Sequence, residues 1–295
     1  MAKLKHTFKT DILFKILFVK YPELLKRLVS ALLGLRFESI DQFEIKNTEI
    51  PPESLGEKFC RLDINMEVDG QRVDMEIQVE DQGDYVERSL FHWAREYSSA
   101  LPAGGDYLEL PRTVIVSIVN FNMFGCREFH SEYGALEVTR HTPLTDKFAL
   151  HYFELPKLTG AVSADNDLEL WLALFKANTE EELARIEALE VPDMEQAIEA
   201  YRDVIVTPEF REMARLREKA RHNEASALRN ARNKGKAEGE AKGRAEGEAK
   251  GKAEGRAEGV LSIARNALQM NMPIDDIVKM TGLSRKEVEN LRNAD

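Results

Sequence analysis

Cysteine is nearly missing from this chain. Only Cys60 and Cys126 occur in 295 residues, too far apart for a C-x-x-C pair, so they build neither a disulfide framework nor a zinc site by themselves. Long apolar runs are missing too: Lys, Glu or Arg breaks each one, as Lys15 does between Ile12 and Phe18, which excludes a membrane-spanning helix. Met1 to His6 carry lysines without a following apolar stretch or a small-residue cleavage site. A cytoplasmic protein with reduced thiols is therefore expected. No G-x-S-x-G or H-E-x-x-H occurs, and no G-K-[ST] follows Gly104–Gly105, so serine-hydrolase, zincin and P-loop chemistry have no footing. Positive charge is not in excess. The net charge is −11, which excludes coating nucleic acid through bulk charge but leaves room for a local basic site.

A hydrophobic content of 43% supports a sizeable core, and this length suits one or two compact domains plus an appendage. Residues 1–157 read as a mixed α/β unit. Thr10 or Asp11 can cap a helix whose apolar positions (Leu13, Phe14, Leu17, Phe18, Leu24, Leu25, Leu28, Leu32) recur at three and four, up to Gly34. Strand-like segments follow at Gln42–Thr48, Lys58–Val68 and Gln71–Val79. A helix over Tyr85–Leu101 then carries the stripe Leu90, Trp93, Ala94, Tyr97, Leu101. The β-branched run Thr113–Val119 and the segment Phe148–Leu155 read as strands.

Residues 158–208 turn helical and acidic, a helical extension of the core. Residues 209–259 begin basic, with nine Lys and Arg from Arg211 to Lys236 against Glu212, Glu218 and Glu224. They continue as a Gly/Ala/Glu/Lys repeat with glycine at every fourth position from Gly235 to Gly259. Glycine costs a helix about 1 kcal/mol per position relative to alanine. This segment is thus a helix in need of a partner, or a linker. Residues 260–295 read as three short helices, the last opened by a Ser284/Glu287 capping box, in a helix-turn-helix-like tail.

The chemistry concentrates between Arg61 and Val79. Alternation is nearly strict on both sides of Asp69–Gly70, a two-residue hairpin signal. With that turn Ile64 faces Met75 and Met66 faces Val73 on an apolar side. On the other side Glu67 meets Arg72 as an ion pair, Asn65 meets Asp74, and Asp63 meets Glu76. Directly opposed side chains lie roughly 4.5–5.5 Å apart at Cβ, where like charges destabilise a hairpin. A divalent cation held between Asp63 and Glu76 reconciles them. So does a shared proton, and so does an exposed polar face with no further role. Gln78 projects from the same face as Glu76 and can orient a water, with Arg61 as its cross-strand neighbour.

Asp63 followed by Glu76-Ile77-Gln78 resembles the PD-(D/E)XK nuclease motif. The Asp11-Ile12-Leu13-Phe14-Lys15 start of the first helix, Arg88 opening the second, Gly105-Asp106-Tyr107 before the Val114–Val119 strand, the repeat and the helical tail extend the likeness. Together they resemble the recombination-promoting nuclease and transposase (Rpn) family of bacteria over nearly the whole chain, most specifically over residues 10–125. The resemblance implies an α/β fold of restriction-endonuclease type, with a central mixed sheet flanked by helices. It implies a metal-dependent DNA endonuclease linked to recombination or mobile DNA. In that reading Asp63 and Glu76 hold Mg²⁺ (or Mn²⁺), Gln78 positions the attacking water, and Asp11 is either an outer carboxylate or a helix cap. Arg88 either holds a DNA phosphate or pairs with Asp84. Two departures stand out: Leu62 replaces the motif proline, and Gln78 replaces the motif lysine, whose charge Lys15 or Arg61 would have to supply.

The alternative is a non-catalytic DNA-binding or assembly protein on a degenerate nuclease core. The tail fits either DNA contact through Arg285 and Lys286 or homo-oligomerisation through close-packed small residues, and its balanced charge leans toward the latter.

Overall fold

The computed structural model describes residues 2–46, 63–102 and 104–293. Arg61, Leu62 and Cys60 lie outside them. Two compact units emerge, one ending at His222 and the other beginning at Asn223.

The first unit is built on a six-stranded mixed sheet of described strands: β1 (Phe43–Ile45), β2 (Ile64–Val68), β3 (Gln71–Gln78), β4 (Thr113–Val119), β5 (His130–Tyr133) and β6 (Phe148–Glu154). Their spatial order is β1-β2-β3-β4-β6-β5. The β2–β3 hairpin has the expected register, with Ile64 opposite Met75 and Glu67 opposite Arg72. Its turn places Asp69 at φ 47° and Gly70 at φ 76°, the pair of positive angles that matches the twist of a hairpin. The expected Glu67–Arg72 ion pair does not form. Glu67 pairs instead with Lys46 at 3.0 Å, and the Arg72 guanidinium donates to the Glu96 carbonyl and the Ser99 hydroxyl. Strand β5, polar and on the sheet edge, was not expected; His-Ser-Glu-Tyr shows no buried alternation to announce it.

Strands β3, β4 and β6 run parallel, and α3 (Tyr85–Ser99) makes the crossover from β3 to β4. One helix was expected over residues 11–32. The chain forms two, α1 (Asp11–Lys20) and α2 (Pro22–Leu33). Pro22 has no N–H and forces Tyr21 out of helical geometry, to φ −121° and ψ 72°. Gly34 ends α2 in the left-handed region, as its position suggested.

Residues 158–208 supply α4 (Asp167–Lys176), α5 (Glu180–Glu187) and α6 (Pro192–Ile205). These pack into one core with α1, α2 and one sheet face: Val73, Met75, Val114, Val116 and Ile118 meet Phe14, Phe18, Trp171, Phe175 and Tyr201. The opposite sheet face carries a smaller cluster of Ile115, Val119, Leu150 and Tyr152 under Tyr85 of α3. Leu90 and Ala94 of the expected α3 stripe are exposed, while Tyr85, Ser89 and His92 turn inward. Polar residues face the sheet here.

A helix α7 spans Pro208–Gln269, glycine repeat included. Residues 260–269, expected as a separate helix, are its last turns. Lys–Glu pairs four residues apart, such as Lys242–Glu246 at 3.9 Å, offset only about 0.2–0.5 kcal/mol each, well short of the glycine cost. The ends are anchored. Phe210 and Ala214 sit in the first unit's core, and Ala264 and Ala267 pack on Ile277 and Val288 in the second. That second packing joins α8 (Ile274–Thr281) and α9 (Arg285–Arg292), with the Ser284/Glu287 capping box formed. No helix among the described residues is long and apolar enough to cross a membrane.

An added Cβ at Gly243 or Gly247 meets nothing within 4 Å. The double change Gly243→Ala, Gly247→Ala should therefore stabilise this stretch by about 2 kcal/mol. Slower amide exchange across the repeat and greater helicity by circular dichroism would register it; unaltered exchange would mean that contacts beyond this chain already hold the helix.

Candidate functional site

Strand alternation puts Asp74, Glu76 and Gln78 on the α3-facing side of β3, and β4 lays Ile115, Ser117 and Val119 beside them in register. Helix α3 crosses above with Tyr85, Ser89 and His92, spaced four and three residues apart and so stacked on one face. Glu76 is 5% exposed. Its Oε1 meets Nδ1 of His92 in a short hydrogen-bonded contact, and the Tyr85 hydroxyl bridges Oε2 at 3.2 Å and the Ser117 hydroxyl at 2.9 Å. Burial pushes the Glu76 carboxyl up, but the hydrogen bond and charge of His92, with Arg88 and Tyr85, outweigh it and hold the group below its usual value. Tyr85 is pushed well above the ordinary phenol range by burial and then by the Glu76 charge.

Asp74 is the most confined of the acids, at 2% exposure. Neither of its carboxylate oxygens receives a hydrogen bond from an N–H or O–H group of the described residues. Burial first, then the charges of Asp63, Glu76 and Glu96, drive the Asp74 carboxyl well above the carboxylate norm. Asp63 itself is 9% exposed, one residue outside the described β2 ladder. The sequence pairs Asp63 with Glu76; the charges of both act on Asp74, which the hairpin register sets opposite Asn65. One oxygen or nitrogen from each of Asp74, Glu76 and His92 lies within 4.8 Å of the others, a spacing that a single metal ion can span. Beside them, among the described residues, opens a cleft of about 350 Å³ walled by Asn65, Arg72, Asp74 and Glu96.

The remaining sequence candidates separate clearly. Lys15, 1% exposed on α1, donates from Nζ to the backbone carbonyl of Asp63 at 3.0 Å, so a cation reaches the site's edge from outside the hairpin. Gln78 ends β3 half-buried, its carbonyl accepting from Asn120. Arg88 lays its guanidinium 4.8 Å over the Tyr85 ring. Its Nε is buried without a hydrogen-bond partner, and no ion pair among the described residues joins it to Asp84. Asp11 holds the Ile12 amide and pairs with Arg217 of α7 at 2.8 Å, away from the three-residue cluster. Arg61 lies outside the described residues. In the second unit Arg285 is engaged by Asp275 and Glu289, while Lys286 is exposed.

From sequence, Asp74 reads only as the partner of Asn65, and His92, between Phe91 and Trp93, as a half-buried or surface histidine rather than a ligand. Asp74 could have been found from its two-residue spacing to Glu76. His92 could have been found from its seven-residue spacing to Tyr85, which sets both on one helical face.

Residues 8–231 match the family described as PD-(D/E)XK nuclease family transposase. Comparison with curated proteins and with solved structures returns no match.

The raised Asp74 carboxyl makes the metal-free chain sensitive to pH. Above the unfolded aspartate value of 3.8, native Asp74 keeps a proton that the unfolded chain releases, so this group's contribution to stability falls as pH rises. In chelator, the urea midpoint of Asp74→Asn should exceed that of wild type at about pH 8 by the equivalent of about 1–3 kcal/mol, with the difference shrinking toward about pH 5. An equal pH response of the two proteins would contradict the raised carboxyl.

Proposed function

The chain belongs to the PD-(D/E)XK nuclease family of transposases, and we propose that it is a metal-dependent DNA endonuclease acting in recombination or on mobile DNA. The observation that carries this reading is the buried cluster of Asp74 and Glu76 with His92, the charge of Asp63 acting on Asp74 and no donor among the described residues reaching the Asp74 carboxylate. Such a group is costly unless protonated or met by a cation. Hard oxygen donors of this kind suit Mg²⁺ or Mn²⁺, held in the proposal by Asp63 and Glu76 with Asp74 adjoining. A bound divalent ion supplies charge against phosphoryl oxygens and lowers the pKa of a water.

The chain's own groups take the other roles. The side-chain amide of Gln78, on the same strand face as Glu76, accepts from the attacking water and aims it at phosphorus. Lys15 supplies the positive charge that Gln78 lacks, through its hold on Asp63. Arg88, half-buried on α3 with its charge near Glu76, offers its guanidinium to a DNA phosphate. The water oxygen bonds to phosphorus as the in-line P–O bond breaks; the water gives up its proton to solvent and the leaving alkoxide takes one from solvent. The basic stretch from Arg211 to Lys236 tracks the DNA backbone, with Lys286 as a further contact. The glycine-rich part of α7, under-stabilised alone, associates with a second copy in a cytoplasmic homo-oligomer.

A second reading has one observation in its favour: Gln78 stands where the motif has lysine. In it the protein binds DNA or assembles on it without cutting.

Nicking of supercoiled plasmid with Mg²⁺ or Mn²⁺ separates the two. Asp63→Ala and Glu76→Ala should each slow cleavage by ~100-fold or more while keeping the wild-type circular dichroism spectrum. Undiminished cleavage in both variants would overturn the nuclease reading, and salt-sensitive binding without any cutting by wild type would favour the second.

A further inference from the structure

Helix α3 sends one nitrogen into an otherwise all-oxygen site. His92 lies opposite Glu76 with its side chain 18% exposed, so its ring is neither sealed in the core nor loose on the surface. Its Nδ1 is aimed at Glu76 Oε1, and the same three residues offer donor atoms within 4.8 Å of one another. Asp74 adds a carboxylate that is 2% exposed and takes no hydrogen bond from any described donor. That combination is short of positive charge and rich in lone pairs. A hydrogen bond to His92 relieves Glu76 only; nothing comparable relieves Asp74.

We propose that Asp74, Glu76 and His92 together form a mixed carboxylate–imidazole metal centre that selects a transition ion of the manganese type over magnesium. This rests on the nuclease reading for its setting but makes a separate claim about ligand identity. Magnesium binds oxygen and keeps most of its water, gaining little from an imidazole. Manganese and the later first-row ions accept nitrogen readily, with affinity rising along the series. The imidazole that comes with α3 therefore biases the site toward these ions. Binding through Nδ1 requires the neutral imidazole with its one proton on Nε2, while Tyr85 and Ser117 keep Glu76 Oε2 in place, as outer hydrogen bonds orient ligands elsewhere. A cleft of about 350 Å³ borders Asp74 alone of the three, and from that side waters or phosphate oxygens would complete the coordination.

The test uses the full chain and Mn²⁺ and Mg²⁺ alone. Calorimetric titration should show Mn²⁺ bound at least ~10-fold more tightly than Mg²⁺. The paramagnetic resonance spectrum of bound Mn²⁺ should carry nitrogen hyperfine coupling. His92→Ala should abolish that coupling and weaken Mn²⁺ by ~10-fold or more while leaving Mg²⁺ within about threefold. His92→Gln, which keeps a hydrogen-bonding group toward Glu76, should behave the same. Bound Mn²⁺ without nitrogen coupling in wild type would overturn this centre and leave the nuclease reading standing, and that spectrum needs no variant to fold. Equal weakening of both ions in His92→Gln would likewise assign His92 a structural role. Binding of neither ion to wild type would remove both readings at once.

Discussion

A buried strand has two faces, and in β3 they make opposite demands. Val73 and Met75 face the large core, while Asp74 and Glu76 face α3 with almost no water. Because alternation is rigid, the acids cannot turn away without dragging the apolar residues out of the core. Burial of the carboxylates is thus enforced by the hydrophobic effect acting on their neighbours. Everything chemical in the molecule follows from how that enforced charge is relieved.

Relief comes from three directions. On Glu76 it is hydrogen bonding, through His92 and Tyr85. On Asp74 it is protonation, the direction in which burial and then the charges of Asp63 and Glu76 drive its carboxyl. At the Asp63 backbone it is Lys15, arriving from α1. Helix α1 also holds Arg217 through Asp11 one turn earlier. The same short helix therefore connects the acid cluster to the basic start of α7. Both positive charges, Lys15 at the Asp63 carbonyl and Arg217 at Asp11, are thus held by α1 contacts.

Helix α3 shows how a site overrides a simple amphipathic pattern. Trp93 and Tyr97 do pack inward, and Trp93 donates from its ring to the Thr113 carbonyl at 2.9 Å. Leu90 is 42% exposed, however, because the face toward β3 is taken by Tyr85, Ser89 and His92. A helix covering a polar strand face must offer hydrogen bonds there, and its leucine loses the competition. The glycine repeat shows a second override. Anchors at Phe210 and Ala267 lie in compact cores, and helix runs between them despite poor local propensity.

Local rules determined a good deal here from sequence alone. The Asp69–Gly70 turn set the hairpin register residue by residue, Gly34 and Ser284 marked helix boundaries, and the Asp63 and Glu76-Ile77-Gln78 pattern pointed to the family. Each of these depends on neighbours a few positions away, where backbone geometry leaves little choice. Tertiary packing decided what sits across from those residues: Lys15 against Asp63, His92 against Glu76, Asp74 between two other acids. These partners belong to elements separated by turns, a helix or dozens of residues. Their meeting is fixed by which face of each helix the core claims, a condition that only the assembled sheet and its coverings impose.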